Sequence, residues 1–284
     1  MDRQIIGIPL KRLAEEKTFK FSRVRISPVP VRQISSGAPV KIERNSISYS
    51  VPAYITHSAI LQVAYEISDN MSAVPGGKFS KAEKEIPAAQ KIKDSVTIAP
   101  FFLGKYEITQ RQWQQVMGYN NSENKECQEC PVETVSWNEV AEFIRILNEY
   151  SPVSFRLPTN AEWEYAVRLD TREYIDKRGG LKYGDLAAWY EKNSGRKPHP
   201  VGKKIPHNAG AYDLMGNVAE WCFDWFDPEY LKYTRDRQNP VGASAGTKKI
   251  VRGGTYANSN FIETKYVNPM DKQKTIGFRL VQNN

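Results

Sequence analysis

The sequence predicts an α+β fold with few helices and long loops, preceded by a small β-rich extension. Three helix starts with one capping signature fall in the middle of the chain, and short apolar runs separated by irregular stretches follow them. The 17 Pro, 18 Gly and 11% aromatic residues are typical of a loop-rich domain with large rings in its core. This order favours α+β over an alternating βαβ array.

The composition is that of a globular protein, with 284 residues of which 40% are hydrophobic and 25% charged. The net charge of +8 is uneven, because residues 1–45 hold ten Lys and Arg against four Asp and Glu. In "KFSRVRIS" the cations are spaced as on the solvated side of a strand, so no nucleic-acid partner is expected. No apolar run suggests a membrane span or a signal peptide. The expected location is cytoplasmic if Met1 is native, and exported or surface-anchored if a leader was removed.

Cys127 and Cys130 form a single C-x-x-C pair, without the second pair or suitably spaced His that zinc requires. A redox pair would sit at a helix N-terminus, whereas Pro131 and an extended stretch follow here. We therefore predict a loop feature, such as a local disulfide in an oxidising setting.

Residues 1–68 are predicted to form the β-rich extension, from "FKFSRVRIS", "VKIERNSISYSV" and "AILQVAYEIS", which are rich in β-branched and aromatic residues. Residues 69–284 are predicted to form the main domain. There "MSAVPGGKF" indicates a strand and a turn, "VTIAPFFLGKYEIT" one long strand, and "KKIVRGG" and "IGFRLV" strands that flank long loops.

Three capping boxes mark the helix starts of the main domain, since a hydroxyl and a carboxylate or amide three residues later satisfy the free N–H groups of a first turn. They are Thr109 with Gln112, Ser136 with Glu139, and Thr159 with Glu162. Gly118 is predicted to end the first helix. An apolar stripe in the second comprises Val140, Phe143, Ile144 and Leu147.

The chain resembles the formylglycine-generating enzyme (sulfatase-modifying factor) family from about Met71 to Val281. The resemblance rests on "AVPGGKF", "FFLGKYEITQRQW", "CPVETVSWNEVAEFIRILNE", "FRLPTNAEWEYAVR", "NAGAYDLMGNVAEWCFDWF", "IVRGGTY" and "IGFRLV", which occur in the family's order. It implies a C-type lectin-like fold. In such a scaffold the tryptophans are expected to organise the core, namely Trp137, Trp163, Trp189, Trp221 and Trp225. Arg156 and Arg279 are expected to pair with buried carboxylates or carbonyls.

The stretch "AYDLMGNVAEW" raises the question of calcium. Asp213, Gly216, Val218 and Glu220 are spaced so that carboxylates and backbone carbonyls could surround a hard cation. The resemblance implies structural calcium at these positions, with Asn typical of the family where this chain has Asp213. The alternative is that the two carboxylates accept hydrogen bonds within a tight turn.

The resemblance also implies a copper oxidase, in which two cysteine thiolates shortly after the Gly-Gly pair hold the metal. Alignment on "GGTY" places Asn258 and Glu263 there, and residues 223–284 contain no cysteine. The iron-dependent sulfoxide synthases of the family need three histidines, and the chain has only His57, His199 and His207. No hydrolytic triad spacing is evident. We therefore expect neither copper nor iron, and no enzymatic activity; a metal-dependent oxidase is the least favoured alternative.

These observations favour a non-catalytic member that binds a protein or other macromolecule with its C-terminal loop face, residues 255–275. The expected contact residues are Tyr256, Asn258, Asn260, Phe261, Tyr266 and Asn268. The same window is hypermutated in the variable proteins of diversity-generating retroelements, and such diversification would be one origin of this face. Glu263, Lys265, Met270 and "DKQK" argue against it, as does the absence of the Cys-Arg pair that is usual in those proteins. The alternative is a structural or assembly module of a surface or secretion complex.

Overall fold

The computed structural model describes residues 40–41, 50–51, 57–80, 95–169, 184–230 and 238–283. All of these lie in one unit, Ala38–Asn284. The helices are α1 (His57–Asp69), α2 (Gln110–Met117), α3 (Trp137–Tyr150), α4 (Asn160–Arg168) and α5 (Gly184–Ala187). The strands are β1 (Val40–Lys41), β2 (Ser50–Val51), β3 (Met71–Val74), β4 (Gly77–Ser80), β5 (Ser95–Ile98), β6 (Phe101–Gly104), β7 (Phe155–Arg156), β8 (Ala219–Trp225), β9 (Lys249–Arg252), β10 (Thr264–Val267), β11 (Ile276–Gly277) and β12 (Val281–Gln282).

Helix α1 corrects one prediction, because it occupies the stretch "AILQVAYEIS" that composition assigned to the β-rich extension. Ile60, Val63, Ala64 and Ile67 recur at helical spacing, and all four are buried in the core. The predicted β structure relied on the β-branched content of this segment and did not use its 3.6-residue period. "FKFSRVRIS" lies outside the described residues, and "VKIERNSISYSV" contributes the short antiparallel pair β1–β2.

All three predicted capping boxes are confirmed at the starts of α2, α3 and α4, each with both reciprocal hydrogen bonds. Helix α2 ends as predicted at Gly118, which adopts the left-handed conformation with φ 80°. The α2 start is also held by the loop of the disulfide Cys127–Cys130, because the N–H of Gln110 donates to the Cys130 carbonyl at 2.9 Å. The predicted local disulfide is thus present.

Two four-stranded sheets carry the domain, with strand orders β3-β6-β12-β7 and β10-β9-β8-β11, and β4 pairs with β5. The long strand predicted for "VTIAPFFLGKYEIT" is instead two strands, β5 and β6, which belong to different sheets. The strand is interrupted at Ala99–Pro100, because Pro100 has no N–H to donate to a neighbouring strand. The N–H of Ala99 leaves the sheet and donates to the Asn239 side chain at 2.6 Å.

The core is built around large rings, as expected. Trp113, Trp163 and Trp221 are fully buried. Trp113 stacks on Phe143 with ring centroids 5.4 Å apart and joins helices α2 and α3. The other three tryptophans, Trp137, Trp189 and Trp225, are partly exposed.

Both predicted arginine roles are confirmed. Arg156 donates to both oxygens of Glu162, at 2.6 and 2.7 Å, and so ties β7 to the first turn of α4. Arg279 is fully buried and donates to both oxygens of Glu220, at 2.6 and 2.8 Å, and to the backbone carbonyls of Gly104 and Tyr212. These mixed helices, sheets and long loops form the α+β, C-type lectin-like fold that the sequence predicts.

Candidate functional site

The segment between β9 and β10 leaves the sheet through Gly253 and Gly254, and this pair is required by close approach rather than by chemistry. Gly253 has φ 96°, a conformation that side chains disfavour. A Cβ on Gly254 would lie 2.6 Å from the Met215 carbonyl oxygen. The Gly-Gly pair therefore seats the following loop against the core.

Tyr256 is an anchor of this loop, and its predicted place on an exposed face is wrong. Only 3% of the residue is exposed. Its N–H donates to the Asn217 carbonyl at 2.7 Å, its carbonyl accepts from the Ser194 hydroxyl at 2.7 Å, and its own hydroxyl donates to the Lys274 carbonyl at 3.1 Å. Tyr256 thus links the segments that carry Asn217, Ser194 and Lys274.

Phe261 is the second anchor, and its predicted exposure is also wrong. It is 9% exposed and packs edge-on against Tyr190, with ring centroids 5.3 Å apart. Burial of an aromatic ring stabilises a loop that has little regular structure. An aromatic residue in such a loop is therefore either a ligand contact or a buried anchor, and its type alone does not separate the two roles. Only the neighbours distinguish the two roles.

The remaining predicted contact residues do lie at the surface. Asn260, Tyr266 and Asn268 are exposed, and Asn258 is partly exposed. The structure adds Ile262 and Met270, which are 44% and 59% exposed and which the prediction missed. We define the loop face as these side chains: Asn258, Asn260, Ile262, Tyr266, Asn268 and Met270.

Tyr266 is held in place on the loop face by stacking. It lies on the edge strand β10 and is 44% exposed. Its ring stacks on Phe226 with centroids 3.6 Å apart and planes inclined by 20°. A fixed, half-exposed aromatic ring of this kind provides contact area at low cost in conformational entropy.

A buried lysine lies on the opposite face of this sheet from Tyr266, because Lys249 on β9 is the register partner of Val267, the residue after Tyr266. Its ammonium lies 3.9 Å from the ring centroids of both Trp137 and Trp225 and donates to the Phe223 carbonyl at 2.8 Å. Sequence reasoning missed this cluster, since a lysine after another lysine in a strand is usually solvated. Burial lowers the pKa of Lys249 to about 8, although the Asp224 carboxylate acts in the opposite direction.

This pKa gives a pH-dependence that can be measured. Because the folded-state pKa of Lys249 lies below its unfolded value, the folded protein binds fewer protons between about pH 8 and 10.5, and the free energy of unfolding contributed by this group rises with pH there. We expect the difference in free energy of unfolding between wild type and Lys249→Met to shift in favour of wild type by an amount on the order of 1–3 kcal/mol between pH 7 and 10. Denaturant titrations at each pH measure it; a constant difference would contradict the assignment.

Asn258 and Glu263, which are expected from the sequence at the copper-ligand positions, make local contacts in the structure. The Asn258 carbonyl accepts from the Glu191 N–H at 3.4 Å, and its side-chain oxygen accepts from the Asn260 N–H. The Glu263 carboxylate lies 3.2 Å from the Lys265 ammonium. The remaining thiol, Cys222, is fully buried, and burial raises its pKa well above the ordinary value. In the described part of the chain, no group of three or more His, Cys, Asp or Glu side chains is placed to hold a metal ion.

All four predicted calcium ligands, Asp213, Gly216, Val218 and Glu220, are buried, but Glu220 already has partners. Its two oxygens accept from Arg279, and one also accepts from the Trp163 indole at 2.8 Å. Asp213 accepts from the Gly202 N–H at 2.8 Å, and its other oxygen is buried without a hydrogen bond. A calcium ion at Glu220 would have to compete with the guanidinium, so this donor set does not fit calcium as it stands. Calcium binding remains a prediction.

The family of this chain is shown by its similarity to known proteins. The sequence profile of the sulfatase-modifying factor enzyme 1-like domain matches residues 59–284. The chain belongs to this family. The match begins inside α1, two residues after the helix starts, which agrees with the burial of that helix in the core.

Similar proteins in the family differ in their described roles. The chain is 29% identical over 257 residues to the chaperone protein LppX of Paenibacillus barcinonensis, covering 72% of this chain and 85% of that protein. It is 34% identical over 149 residues to the formylglycine-generating enzyme of Streptomyces coelicolor, covering 44% of this chain and 42% of that enzyme.

Two solved structures share the fold. Treponema denticola variable protein 1 matches with a TM-score of 0.61 at 24% identity, covering 87% of this chain and 99% of that one. PvdO from Pseudomonas aeruginosa matches with a TM-score of 0.60 at 20% identity, covering 75% and 94%. These matches confirm the predicted C-type lectin-like fold. None of the helices in the described residues has both the length and the apolar character needed to cross a membrane.

Proposed function

We propose that this chain is a non-catalytic binding protein that holds a protein ligand on its loop face. The supporting observation is that buried and exposed side chains have different roles in the segment after β9. Tyr256 and Phe261 are buried and fix the backbone, whereas Ile262, Tyr266 and Met270 remain 44%, 44% and 59% exposed. Exposed apolar side chains concentrated on a rigid loop are typical of interaction surfaces.

The name of one relative supports the choice of a protein ligand. LppX is named as a chaperone, and a chaperone acts on polypeptide chains. The structural likeness to a variable protein agrees with a binding role for the fold. If residues 255–275 are diversified as in retroelement variable proteins, the variation should fall on the loop face and spare Tyr256 and Phe261. A near-copy of the codons for residues 250–281 beside a reverse transcriptase gene would support that origin.

Photo-cross-linking tests the binding face directly. We expect a photoreactive phenylalanine analogue placed at Ile262 or Met270 to yield a discrete cross-linked protein in producing cells, identified by mass spectrometry. Tyr266→Ala should remove this product, because it deletes the fixed, half-exposed ring of the face. The matched control is Phe102→Ala, which deletes an aromatic side chain of similar exposure, 38%, on strand β6 of the other sheet.

Each outcome of the cross-linking has a defined meaning. A product that survives Tyr266→Ala, or that Phe102→Ala removes equally, would contradict the proposed face. Cross-links to a second copy of the chain would support the structural or assembly alternative instead.

The non-catalytic part of the proposal has a separate test. With the purified protein loaded with Cu(I) and offered a cysteine-containing peptide in air, we expect no oxygen uptake above a metal-only control, because Asn258 and Glu263 supply no thiolate. Stoichiometric copper retained after mild chelation, together with oxygen uptake, would overturn it.

A further inference from the structure

A short basic loop, defined as residues 192–204 ("KNSGRKPHPVGKK"), contacts the segment that carries the loop face. It contains three Lys and one Arg with exposed side chains and no Asp or Glu. The four are Lys192, Arg196, Lys197 and Lys203. This concentration of one charge within twelve residues is not required by the fold elements that the loop connects.

These four cations have no ion-pair partner among the described residues. By contrast, the lysines of the loop-face segment are neutralised locally: Lys265 by Glu263 at 3.2 Å, Lys272 by Glu139 at 2.7 Å and Lys274 by Glu123 at 3.6 Å. The loop face itself is therefore apolar and amide-bearing, and the uncompensated positive charge lies in the basic loop.

The basic loop is fixed rather than loosely attached. The ring of His199 stacks on Trp189 with centroids 3.8 Å apart, and the backbone N–H of His199 donates to the Asn217 side-chain oxygen at 2.9 Å. The Lys204 ammonium lies over the same Trp189 ring, 3.8 Å from its centroid. The N–H of Val201 donates to the Glu129 carbonyl at 3.0 Å. A fixed loop holds its charges in place before a ligand arrives, which lowers the entropy cost of binding.

Direct hydrogen bonds join the basic loop to the base of the loop face. The buried Ser194 hydroxyl donates to the Tyr256 carbonyl at 2.7 Å and accepts from the Arg196 N–H at 3.0 Å. At the entrance to the loop, the Ser259 hydroxyl donates to the Glu191 carboxylate at 2.6 Å. The end of the loop face that carries Asn258 and Asn260 therefore lies next to the basic loop.

Nearby carboxylates do not cancel this charge. Glu129, whose backbone accepts from Val201, has its carboxylate paired with Arg111 at 2.7 Å. Glu123 pairs with Lys274, and Glu126 follows the oppositely charged Lys125 in the chain. Glu191 accepts from the neutral Ser259 hydroxyl and keeps its charge, as does Asp185, which accepts from Tyr190 and Asn193. These two carboxylates stand against five cations, so residues 185–204 keep a net charge of +3. The positive charge of the basic loop thus remains available to a partner.

From this arrangement we propose that the ligand is an acidic protein segment, with carboxylates that contact Lys192, Arg196, Lys197 and Lys203 while its apolar side chains pack on the loop face. This inference rests on the proposed function and adds the charge of the partner. Complementary charge of this kind chiefly speeds association and selects among partners. A nucleic acid is less well suited, because it has no aliphatic side chains to pack on Ile262 and Met270, which are 44% and 59% exposed.

Binding of a defined acidic polypeptide tests the inference. The probe is fluorescein-labelled poly-L-glutamate of about 20 residues, measured by fluorescence anisotropy at low salt, with a single-stranded DNA of equal charge as comparison. We expect Arg196→Glu/Lys197→Glu to weaken poly-L-glutamate binding by at least about tenfold. The control is Lys78→Glu/Lys105→Glu, which changes the net charge equally at positions near β4 and β6 and should change the affinity by less than about twofold.

The outcomes separate this inference from the proposed function. Equal loss of affinity in both double variants, or no binding by wild type, would overturn the acidic-ligand inference and leave the loop face untouched. Tighter binding of the DNA than of poly-L-glutamate would overturn it in favour of a nucleic acid. Tyr266→Ala should leave poly-L-glutamate binding intact, because this probe has no apolar side chains, yet remove the cross-linked cellular product.

Discussion

Replacement of Arg279 by alanine is expected to destabilise the protein by about 3–5 kcal/mol, a large part of the stability of a typical domain. Arg279 is the cation among three buried carboxyl groups, those of Glu107, Asp213 and Glu220. Burial, followed by repulsion from the other two carboxylates, already raises the pKa of Glu107 well above its usual range. Without the guanidinium, Glu220 would lose two charged hydrogen bonds and remain buried as an unpaired charge.

Equilibrium denaturation by urea measures this loss. The control is Arg145→Ala, because Arg145 also holds two carboxylates, Glu142 and Glu149, but is 52% exposed; we expect a loss below about 1 kcal/mol. If Arg279→Ala does not fold, the double variant Arg279→Met/Glu220→Gln still tests the idea. It should fold and lose less than Arg279→Ala alone, since it removes both charges together. An Arg279→Ala midpoint close to that of Arg145→Ala would contradict the role assigned to this ion pair.

Replacement of Trp221 by alanine is expected to cost about 3–5 kcal/mol, through a cavity at the centre of the core. Trp221 is fully buried on β8, pairs in register with Val251 and donates from its indole to the Val135 carbonyl at 3.0 Å. Truncation would remove the ring and leave that carbonyl unpaired. Phe223, two residues along the same strand, is 45% exposed, so Phe223→Ala should cost less than about 1 kcal/mol.

Thermal and urea unfolding of the two variants measure the contrast. Trp221→Phe separates the contributions, because it keeps most of the volume and loses only the indole donor, and it should lose less than Trp221→Ala. Equal losses for Trp221→Ala and Phe223→Ala would show that burial on this strand has been misassigned.

Part of the fold could be predicted from the sequence because its signals lie within a few neighbouring residues. A capping box places its signal within four residues, so Thr109, Ser136 and Thr159 could be recognised without knowledge of tertiary contacts. Helix α1 could have been found in the same way, from the period of Ile60, Val63 and Ile67, had composition not been weighted more heavily. The break between β5 and β6 was signalled by Pro100.

The site was less predictable because its roles depend on distant neighbours. Tyr256 and Tyr266 have the same side chain and lie ten residues apart, yet one is anchored by Asn217, Ser194 and Lys274 and the other is half exposed. Nothing local to either residue distinguishes them. The Lys249 cluster likewise depends on Trp137, which lies more than one hundred residues earlier in the chain.

The alternation of anchors and exposed positions after β9 has a consequence for evolution. Tyr256, Phe261 and Val267 are buried and hold the backbone, and Asn260, Ile262 and Tyr266 between them are exposed. Exposed substitutions away from structural contacts usually change stability by no more than about 0.5 kcal/mol. A lineage can therefore exchange the residues at Asn260 or Ile262 one after another and acquire new binding partners, without first accumulating a reserve of stability elsewhere in the fold.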